Sequence, residues 1–352
     1  MKLFEPFVLG GLSLPNRIVM APMTRNRATG TIPQEMAVIH YSARASAGLI
    51  TSEATQVSAR GQGYQDTPGI HTAPQVQAWR RVTEAVHEAG GRMLVQLVHV
   101  GRLSHSDFHG SPPVAPSAVR PVGFIRTPQG LRPYETPWVP STTEVALVVE
   151  EFAHAAAHAV EAGFDGVEIH GASGFLVDQF LQSGTNQRTD KYGGSAENRV
   201  RFALEIVEAV AAHWDRSRIG FTLSPGGGHK GIKDDNPLET FACAARALGQ
   251  QGVGYLHVME EPINEVSPAR LMREHFPGPI VTSGSYTRES GEEALESGLA
   301  DLVAFGRAFT ANPDLVEKLR SNTRLALPDP KTFYSGGALG YVYEVALPSV
   351  RS

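Results

Sequence analysis

Three side chains in the segment HGASGF, residues 170–175, are candidates for acting on a small molecule. The imidazole of His170 can donate or accept a proton near neutral pH, and the hydroxyl of Ser173 can donate one hydrogen bond. The ring of Phe175 has no proton to give. The sequence VEI at 167–169, apolar except for its Glu, and the glycines that follow predict a buried strand ending in a loop. Because barrel enzymes carry their catalytic residues at such strand ends, this segment is the candidate active site.

The elements that must position this segment alternate regularly along the chain. Ser141 and Glu144 form a capping-box pattern that opens one helix, and Ser195 opens another. Eight short apolar runs alternate with helical patterns, at residues 18–23, 49–54, 92–99, 166–170, 219–224, 255–259, 280–284 and 302–306. This alternation predicts a (β/α)8 TIM barrel. A doubly wound sheet is the alternative, although the chain lacks the G-x-G-x-x-G fingerprint expected of one.

The domain organisation follows from the same alternation. We interpret residues 1–352 as a single barrel domain with an N-terminal hairpin. The stretch from 101 to 140 is rich in Pro, Gly and Ser and has no strong helical period. We therefore expect it to be an insertion after the third strand that covers the pocket.

Composition narrows the class of protein. The 352 residues carry a net charge of -5, with 41% hydrophobic and 19% charged residues, which is typical of a globular enzyme. The acidic balance gives no reason to expect nucleic acid or an anionic membrane as a partner. The single cysteine, Cys243, cannot form an internal disulfide, and the N-terminus lacks the apolar core of a signal peptide. We expect a cytoplasmic enzyme that acts on a small molecule.

A phosphate site is the second candidate feature. In a barrel, phosphate commonly binds the loops after strands seven and eight. Those loops carry Gly284 and Ser285 after one run and Gly306 and Arg307 after the next. Small residues let backbone N–H groups approach a phosphate, and a guanidinium can pair with it. The alternative is that these are ordinary turn residues beside a surface charge. No pattern of histidines or cysteines predicts a metal site.

Several longer motifs resemble the Old Yellow Enzyme family of FMN-dependent ene reductases. The signature region is HGASGFL at 170–176, QFL at 179–181, NQRTDKYGGS at 186–195 and ENR at 197–199. Further matches are spread along the chain, at APMTR 21–25, QL 96–97, LSP 223–225, FGR 305–307, TFY 332–334 and GY 340–341. The resemblance thus covers nearly the whole chain.

The resemblance implies FMN as cofactor and NADPH or NADH as reductant. It places Pro22, Met23 and Thr24 against the flavin, Ala54 and Gln96 at its pyrimidine edge, and the residues of the predicted phosphate site on its phosphate. In the family's cycle, hydride passes from flavin N5 to an activated alkene, a Tyr supplies the proton, and a His with a second His or Asn holds the substrate oxygen. His170 matches the first member of that clamp. Family members of this kind occur as monomers or homodimers.

Four positions depart from the family's pattern. Ser173 stands at the second clamp position, and Phe175 stands where the family has its proton-donating Tyr. Val98 replaces a Trp beside the substrate, which opens the pocket that Tyr64 and Tyr341 are also expected to line. Thr222 replaces an Arg near flavin N1, where reduced flavin carries negative charge.

These departures leave three functions open. The first is reduction of an activated C=C bond, as in an enone or enal of a bulky metabolite, with a proton from a source other than residue 175. The second is a redox-neutral flavin isomerase or a dehydrogenase in specialised metabolism. The third, from another class, is a non-catalytic or flavin-poor binding barrel.

Overall fold

The structure, a computed structural model, describes residues 1–263 and 265–343. Its strands are β1 (Phe7–Leu9), β2 (Leu12–Leu14), β3 (Ile18–Met20), β4 (Leu49–Thr51), β5 (Thr55–Gln56), β6 (Met93–Val98), β7 (Phe124–Thr127), β8 (Gly130–Pro133), β9 (Gly166–Gly171), β10 (Ile219–Leu223), β11 (Tyr255–Met259), β12 (Ile280–Ser283) and β13 (Leu302–Phe305).

Its α-helices are α1 (Glu35–Ser42), α2 (Ala73–Glu88), α3 (Ser106–His109), α4 (Thr142–Glu161), α5 (Leu176–Leu181), α6 (Ala196–Val210), α7 (Pro237–Gln250), α8 (Pro268–His275), α9 (Arg288–Glu296), α10 (Arg307–Ala311) and α11 (Leu315–Arg320). None of the helices in the described ranges is both long and apolar enough to cross a membrane.

Eight parallel strands close into a barrel in the order β3, β4, β6, β9, β10, β11, β12, β13 and back to β3. Each of the eight apolar runs of the sequence coincides with one of these strands, so the predicted (β/α)8 barrel is confirmed. The strands read as continuous apolar runs because one face packs into the barrel and the other meets the helices.

The hairpin β1–β2 caps the N-terminal end of the barrel. Its leucines Leu9, Leu12 and Leu14 pack in one cluster with barrel residues such as Leu49 and Leu302, each the first residue of its strand. Burying a leucine side chain contributes about 1.5–3 kcal/mol, so three of them fasten the hairpin to the strand starts. This end of the barrel is thereby filled with apolar side chains, which leaves the opposite end for polar chemistry.

The helices begin where their capping residues predict. Ser141 precedes α4 and forms a capping box with Glu144, and Ser195 precedes α6 with its side chain accepting from the N–H of Asn198. Within α4 the residues Val145 and Phe152 are fully buried, as their spacing predicts. Val160, which continues the same spacing, is instead 49% exposed, because the buried face at this end of the helix runs through Ala159 and Ala162, which are both 0% exposed.

The insertion after the third barrel strand runs from β6 to α4 and contains α3 and the antiparallel hairpin β7–β8. Ile125 of β7 and the adjoining Tyr134 are both 5% exposed. They pack with Val98, the last residue of β6. The hairpin therefore sits against the C-terminal end of the third barrel strand.

Candidate active site

His170 lies near the end of β9, in the barrel wall, and is 7% exposed. The backbone N–H of Ala172 donates to its Nδ1 at 3.3 Å. A neutral imidazole that accepts at Nδ1 carries its proton on Nε2. Burial lowers the pKa of His170 to about 4, and the nearby Glu168 carboxylate only partly opposes this. At neutral pH His170 is thus a neutral ring whose Nε2–H has no partner among the described residues, and it can donate to a ligand oxygen.

Ser173 is held in a tight loop that follows β9. Its φ of 59° is in the left-handed region, which side chains other than Gly seldom adopt. Its N–H donates to Ser224 Oγ at 2.8 Å, and among the described residues its hydroxyl donates only to the sulfur of Met259, at 3.6 Å. A thioether is a weak acceptor, so the Ser173 hydroxyl can turn to a ligand at little cost.

A buried carboxyl supports the same loop from below. The N–H of Gly174 donates to Asp178 Oδ2 and the amide of Gln182 donates to Oδ1, both at 2.8 Å. Burial raises the pKa of Asp178 to about 7 despite these bonds. The loop geometry beside His170 therefore depends on a carboxyl of α5 that the sequence did not single out.

Phe175 fills the place beside His170. Its ring meets the His170 ring edge to face with centroids 4.9 Å apart, and Tyr64 meets Phe175 from another side at 6.4 Å. Phe175 and Ala54 both pack on the cluster that contains Val98 and the insertion hairpin. Five predicted site residues, namely His170, Phe175, Tyr64, Val98 and Ala54, are thereby linked through contacts around one apolar wall.

A fully buried carboxylate lies beneath the site. Glu168 accepts from Gln96 Nε2 at 2.8 Å and from Thr222 Oγ1 at 2.7 Å. It thereby links Gln96 and Thr222, which are two of the predicted cofactor residues. Tyr255 also donates to it at 2.7 Å, and His257 Nδ1 lies 3.2 Å away. Burial acts to raise the pKa of Glu168, but His257 and these hydrogen bonds outweigh it and lower the pKa to about 2. The sequence could have indicated this buried carboxylate, because Glu168 is a charged residue inside an otherwise apolar strand.

The predicted phosphate residues lie at the ends of two neighbouring strands. Ser283 of β12 pairs with Ala304 of β13, so the loops that follow both strands are adjacent. The side chain of Arg307, at the start of α10, is exposed and makes no ion pair or hydrogen bond within the described ranges. Gly306 contacts the loop after β3, since a side chain placed on it would lie 3.4 Å from Met23 Sδ. Gly284 and Ser285 are exposed, whereas Pro22, Met23 and Thr24 are half-buried.

Tyr341 packs in a different group of side chains. It is 1% exposed, stacks on His40 with centroids 3.9 Å apart, and lies under the guanidinium groups of Arg25 and Arg27. Arg27 also donates to the carbonyl oxygens of residues 332, 333, 335 and 337, which fixes the C-terminal segment near the first barrel strand. Its place in the substrate pocket stays a prediction.

The donor set of this site fits FMN. Such a cofactor needs a cation for its phosphate and buried donors and acceptors for its ring edge. Within the part of the chain that the structure describes, Arg307 is an exposed cation without a partner, and His257 Nε2 is a buried nitrogen without one. A buried polar atom left unpaired costs about 1–3 kcal/mol, and a cofactor atom bound to His257 Nε2 would remove that cost.

Comparison with known proteins supports the same conclusion. Residues 2–326 match the model of the NADH:flavin oxidoreductase / NADH oxidase family. The chain is 40% identical to 12-oxophytodienoate reductase 2 of Arabidopsis thaliana, with 99% of this chain and 96% of that protein covered. It is also 40% identical to putative 12-oxophytodienoate reductase 11 of Oryza sativa subsp. japonica, over 99% and 98% of the two chains.

Solved structures agree with the sequence matches. Morphinone reductase in complex with tetrahydroNAD superposes with a TM-score of 0.93 at 45% identity, over 97% of this chain and 96% of that one. The Old Yellow Enzyme homologue from Zymomonas mobilis superposes with a TM-score of 0.96 at 38% identity, over 99% and 100%. Since the family model matches most of the chain and these relatives match nearly all of it, the chain belongs to the NADH:flavin oxidoreductase family of Old Yellow Enzymes, which are FMN-dependent oxidoreductases.

Proposed function

We propose that this protein reduces the activated C=C bond of an α,β-unsaturated carbonyl compound, with NADH or NADPH as reductant. The substrate oxygen is held by His170 and Ser173, and the proton comes from solvent rather than from residue 175. The proposal rests on one observation above the others: His170 is buried, neutral at neutral pH, and has a free Nε2–H at the end of a barrel strand.

The chemistry of His170 suits a carbonyl substrate. When hydride adds to the β carbon of an enone, negative charge develops on the carbonyl oxygen. A preorganised neutral donor stabilises this charge and costs no reorganisation during the reaction. A neutral imidazole also polarises the carbonyl without first losing a proton. The Ser173 hydroxyl, which donates to the Met259 sulfur, supplies a second and weaker donor.

Residues of neighbouring strands would hold the cofactor. We assign Gly284, Ser285, Gly306 and Arg307 to the FMN phosphate, and Gln96, Ala54 and Thr222 to the pyrimidine edge. Pro22, Met23 and Thr24 would pack against the flavin. When bound, FMN supplies the hydride chemistry, and the protein supplies orientation and charge.

The pocket beside His170 favours a bulky substrate. Val98 is small, and Phe175 and the half-buried Ala54 leave an apolar wall on that side. The β7–β8 hairpin, which packs on Val98, would cover this wall and exclude water. Two of the relatives are named as reductases of 12-oxophytodienoate and morphinone, which agrees with a bulky ketone substrate.

The test is a two-step reaction under anaerobic conditions. Purified protein should absorb as a flavoprotein, and NADH or NADPH should bleach the flavin. Addition of 2-cyclohexen-1-one should then restore the oxidised spectrum and yield one equivalent of cyclohexanone per flavin. A flavin that NAD(P)H reduces but that no cyclic enone reoxidises would overturn the proposal.

The absent phenol at position 175 favours a second candidate. Without a dedicated proton donor, hydride added to the β carbon could pass back to the flavin after rotation about the Cα–Cβ bond, so that the net reaction is isomerisation of the C=C bond. To distinguish the two, the flavin is first reduced with one equivalent of dithionite, and the protein is then incubated with excess acyclic enone in deuterated buffer without NAD(P)H. Reduction then stops after one turnover, whereas isomerisation continues. If neither an isomerised product nor isotope exchange is detected, the isomerase is excluded. Membership of an oxidoreductase family argues against the binding barrel.

A further inference from the structure

Four side chains from neighbouring strands converge on Glu168, which is 0% exposed. Gln96 of β6, Thr222 of β10 and Tyr255 of β11 donate neutral hydrogen bonds to it. Among the contacts of this carboxylate in the described structure, only His257 can carry a positive charge, and its Nδ1 lies 3.3 and 3.2 Å from the two carboxylate oxygens. A buried carboxylate needs such a partner, because an isolated buried charge is strongly unfavourable.

The second nitrogen of His257 is unpaired. With Nδ1 donating to Glu168, the ring presents Nε2 on its other side. This atom is buried and has no hydrogen-bond partner among the described residues. The residue itself is 2% exposed, so bulk water is not an adequate partner. An imidazolium held by Glu168 in this way would have one paired N–H and one free N–H, and the free N–H could donate to a ligand.

The strand register places His257 level with the candidate active site. His257 pairs with Thr222 on β10, and Thr222 pairs with His170 on β9. Residues paired in a parallel sheet point to the same face, and the Thr222 contact with Glu168 lies on that face. The titratable groups that face His257 are Glu168 and His170 of β9 and Tyr255 of β11, while β6 and β10 offer Gln96 and Thr222, and β12 offers Val281.

We propose that the imidazolium of His257, held by Glu168, donates through Nε2–H to the pyrimidine edge of FMN and offsets the negative charge of the reduced flavin. This inference rests on the proposed placement of FMN beside Gln96 and Thr222. The imidazolium would supply the positive charge that the neutral Thr222, at the same level of the barrel, does not supply. In this ion pair the imidazolium of His257 would face FMN, and the Glu168 carboxylate would lie on the opposite side of the imidazole ring.

The test compares reduction potentials of the bound flavin. His257→Gln keeps a donor to Glu168 but removes the charge. We expect the affinity for reduced relative to oxidised FMN to fall by about tenfold or more, which lowers the two-electron potential by about 30 mV or more. Tyr255→Phe is the matched control: it removes a neutral donor from the same carboxylate, and the affinity ratio should change by less than about threefold.

An unchanged potential in His257→Gln, with FMN bound, would overturn the inference. Should that variant fail to fold, NMR of wild-type holoenzyme labelled with 15N-histidine decides instead. We expect one ring with both nitrogens protonated and both N–H protons protected from solvent; its absence overturns the inference. If the protein saturates the enone but His257→Gln leaves the flavin potential unchanged, this inference is wrong and the proposed function stands. If His257→Gln shifts the flavin potential but the wild-type protein does not turn over the enone, the proposed function is wrong and this inference stands.

Discussion

The imidazole of His170 and the phenyl ring of Phe175 meet edge to face, with centroids 4.9 Å apart and planes inclined at 76°. A phenol in place of that phenyl ring would therefore stand next to the residue proposed to hold the substrate oxygen. This contact is the reason to test the proton donor by adding a hydroxyl here.

Phe175→Tyr should accelerate saturation of an enone by about a hundredfold, since a positioned general acid commonly contributes that much or more. The measurement is the rate at which 2-cyclohexen-1-one reoxidises the reduced enzyme in stopped flow. Phe108→Tyr is the control, because Phe108 packs on the same cluster and gains the same hydroxyl. Equal rates in Phe175→Tyr and wild type would show that protonation does not limit the reaction.

His170→Ala should weaken the binding of a phenol such as p-hydroxybenzaldehyde by about 10- to 100-fold. The estimate follows from about 1.5–3 kcal/mol for a hydrogen bond to a charged group. Titration of the holoenzyme, followed through the flavin spectrum, gives the dissociation constant. His170→Gln, which keeps an N–H donor, should retain part of the affinity. Wild-type phenol affinity in the Ala variant would count against the clamp.

Ser173→Asn should tighten the binding of the same phenol without loss of stability. Asn tolerates the left-handed region better than most residues, so the φ of 59° suits it. Its longer amide also adds a donor beside His170. Ser173→Ala is the comparison: it loses the hydroxyl and keeps the strained backbone, so both affinity and melting temperature should fall. A drop in melting temperature for the Asn variant would contradict the argument.

Glu53 should make stability fall as the pH rises. It is 4% exposed, and burial raises its pKa from 4.5 to about 7, although the N–H of Arg25 donates to it at 3.1 Å. Because the folded-state pKa is the higher one, the stabilisation is complete below about pH 4.5 and is lost as the pH rises to about 7.

The free energy of unfolding, measured in urea at pH 5 and pH 8, tests this. Relative to Glu53→Gln, wild type should lose roughly 2.5 kcal/mol of its free energy of unfolding between pH 5 and pH 8, since a small part of the change already lies below pH 5. Glu88→Gln replaces an exposed glutamate at the end of α2, and its free energy of unfolding should change with pH as that of wild type does. A constant difference between Glu53→Gln and wild type at both pH values would refute the assignment.

Local patterns were sufficient to predict the barrel. The eight strands, the caps at Ser141 and Ser195, and the insertion after the third strand all follow from hydrophobic periodicity and capping residues, which act over a few neighbouring residues. The exposed Val160 shows the limit of the same reasoning, since an apolar side chain at helical spacing can lie beside the buried face rather than on it.

The sequence by itself determined the fold, the family and the chemical types at positions 170, 173 and 175. Only the tertiary structure decided that Gln96, Glu168, Thr222 and His257 meet, because barrel closure and strand register bring together residues far apart in the chain. It also decided the state of His170: burial sets its neutral form, and the Ala172 N–H sets which nitrogen carries the proton. Burial and register are properties of the whole barrel, so no short stretch of sequence contains them.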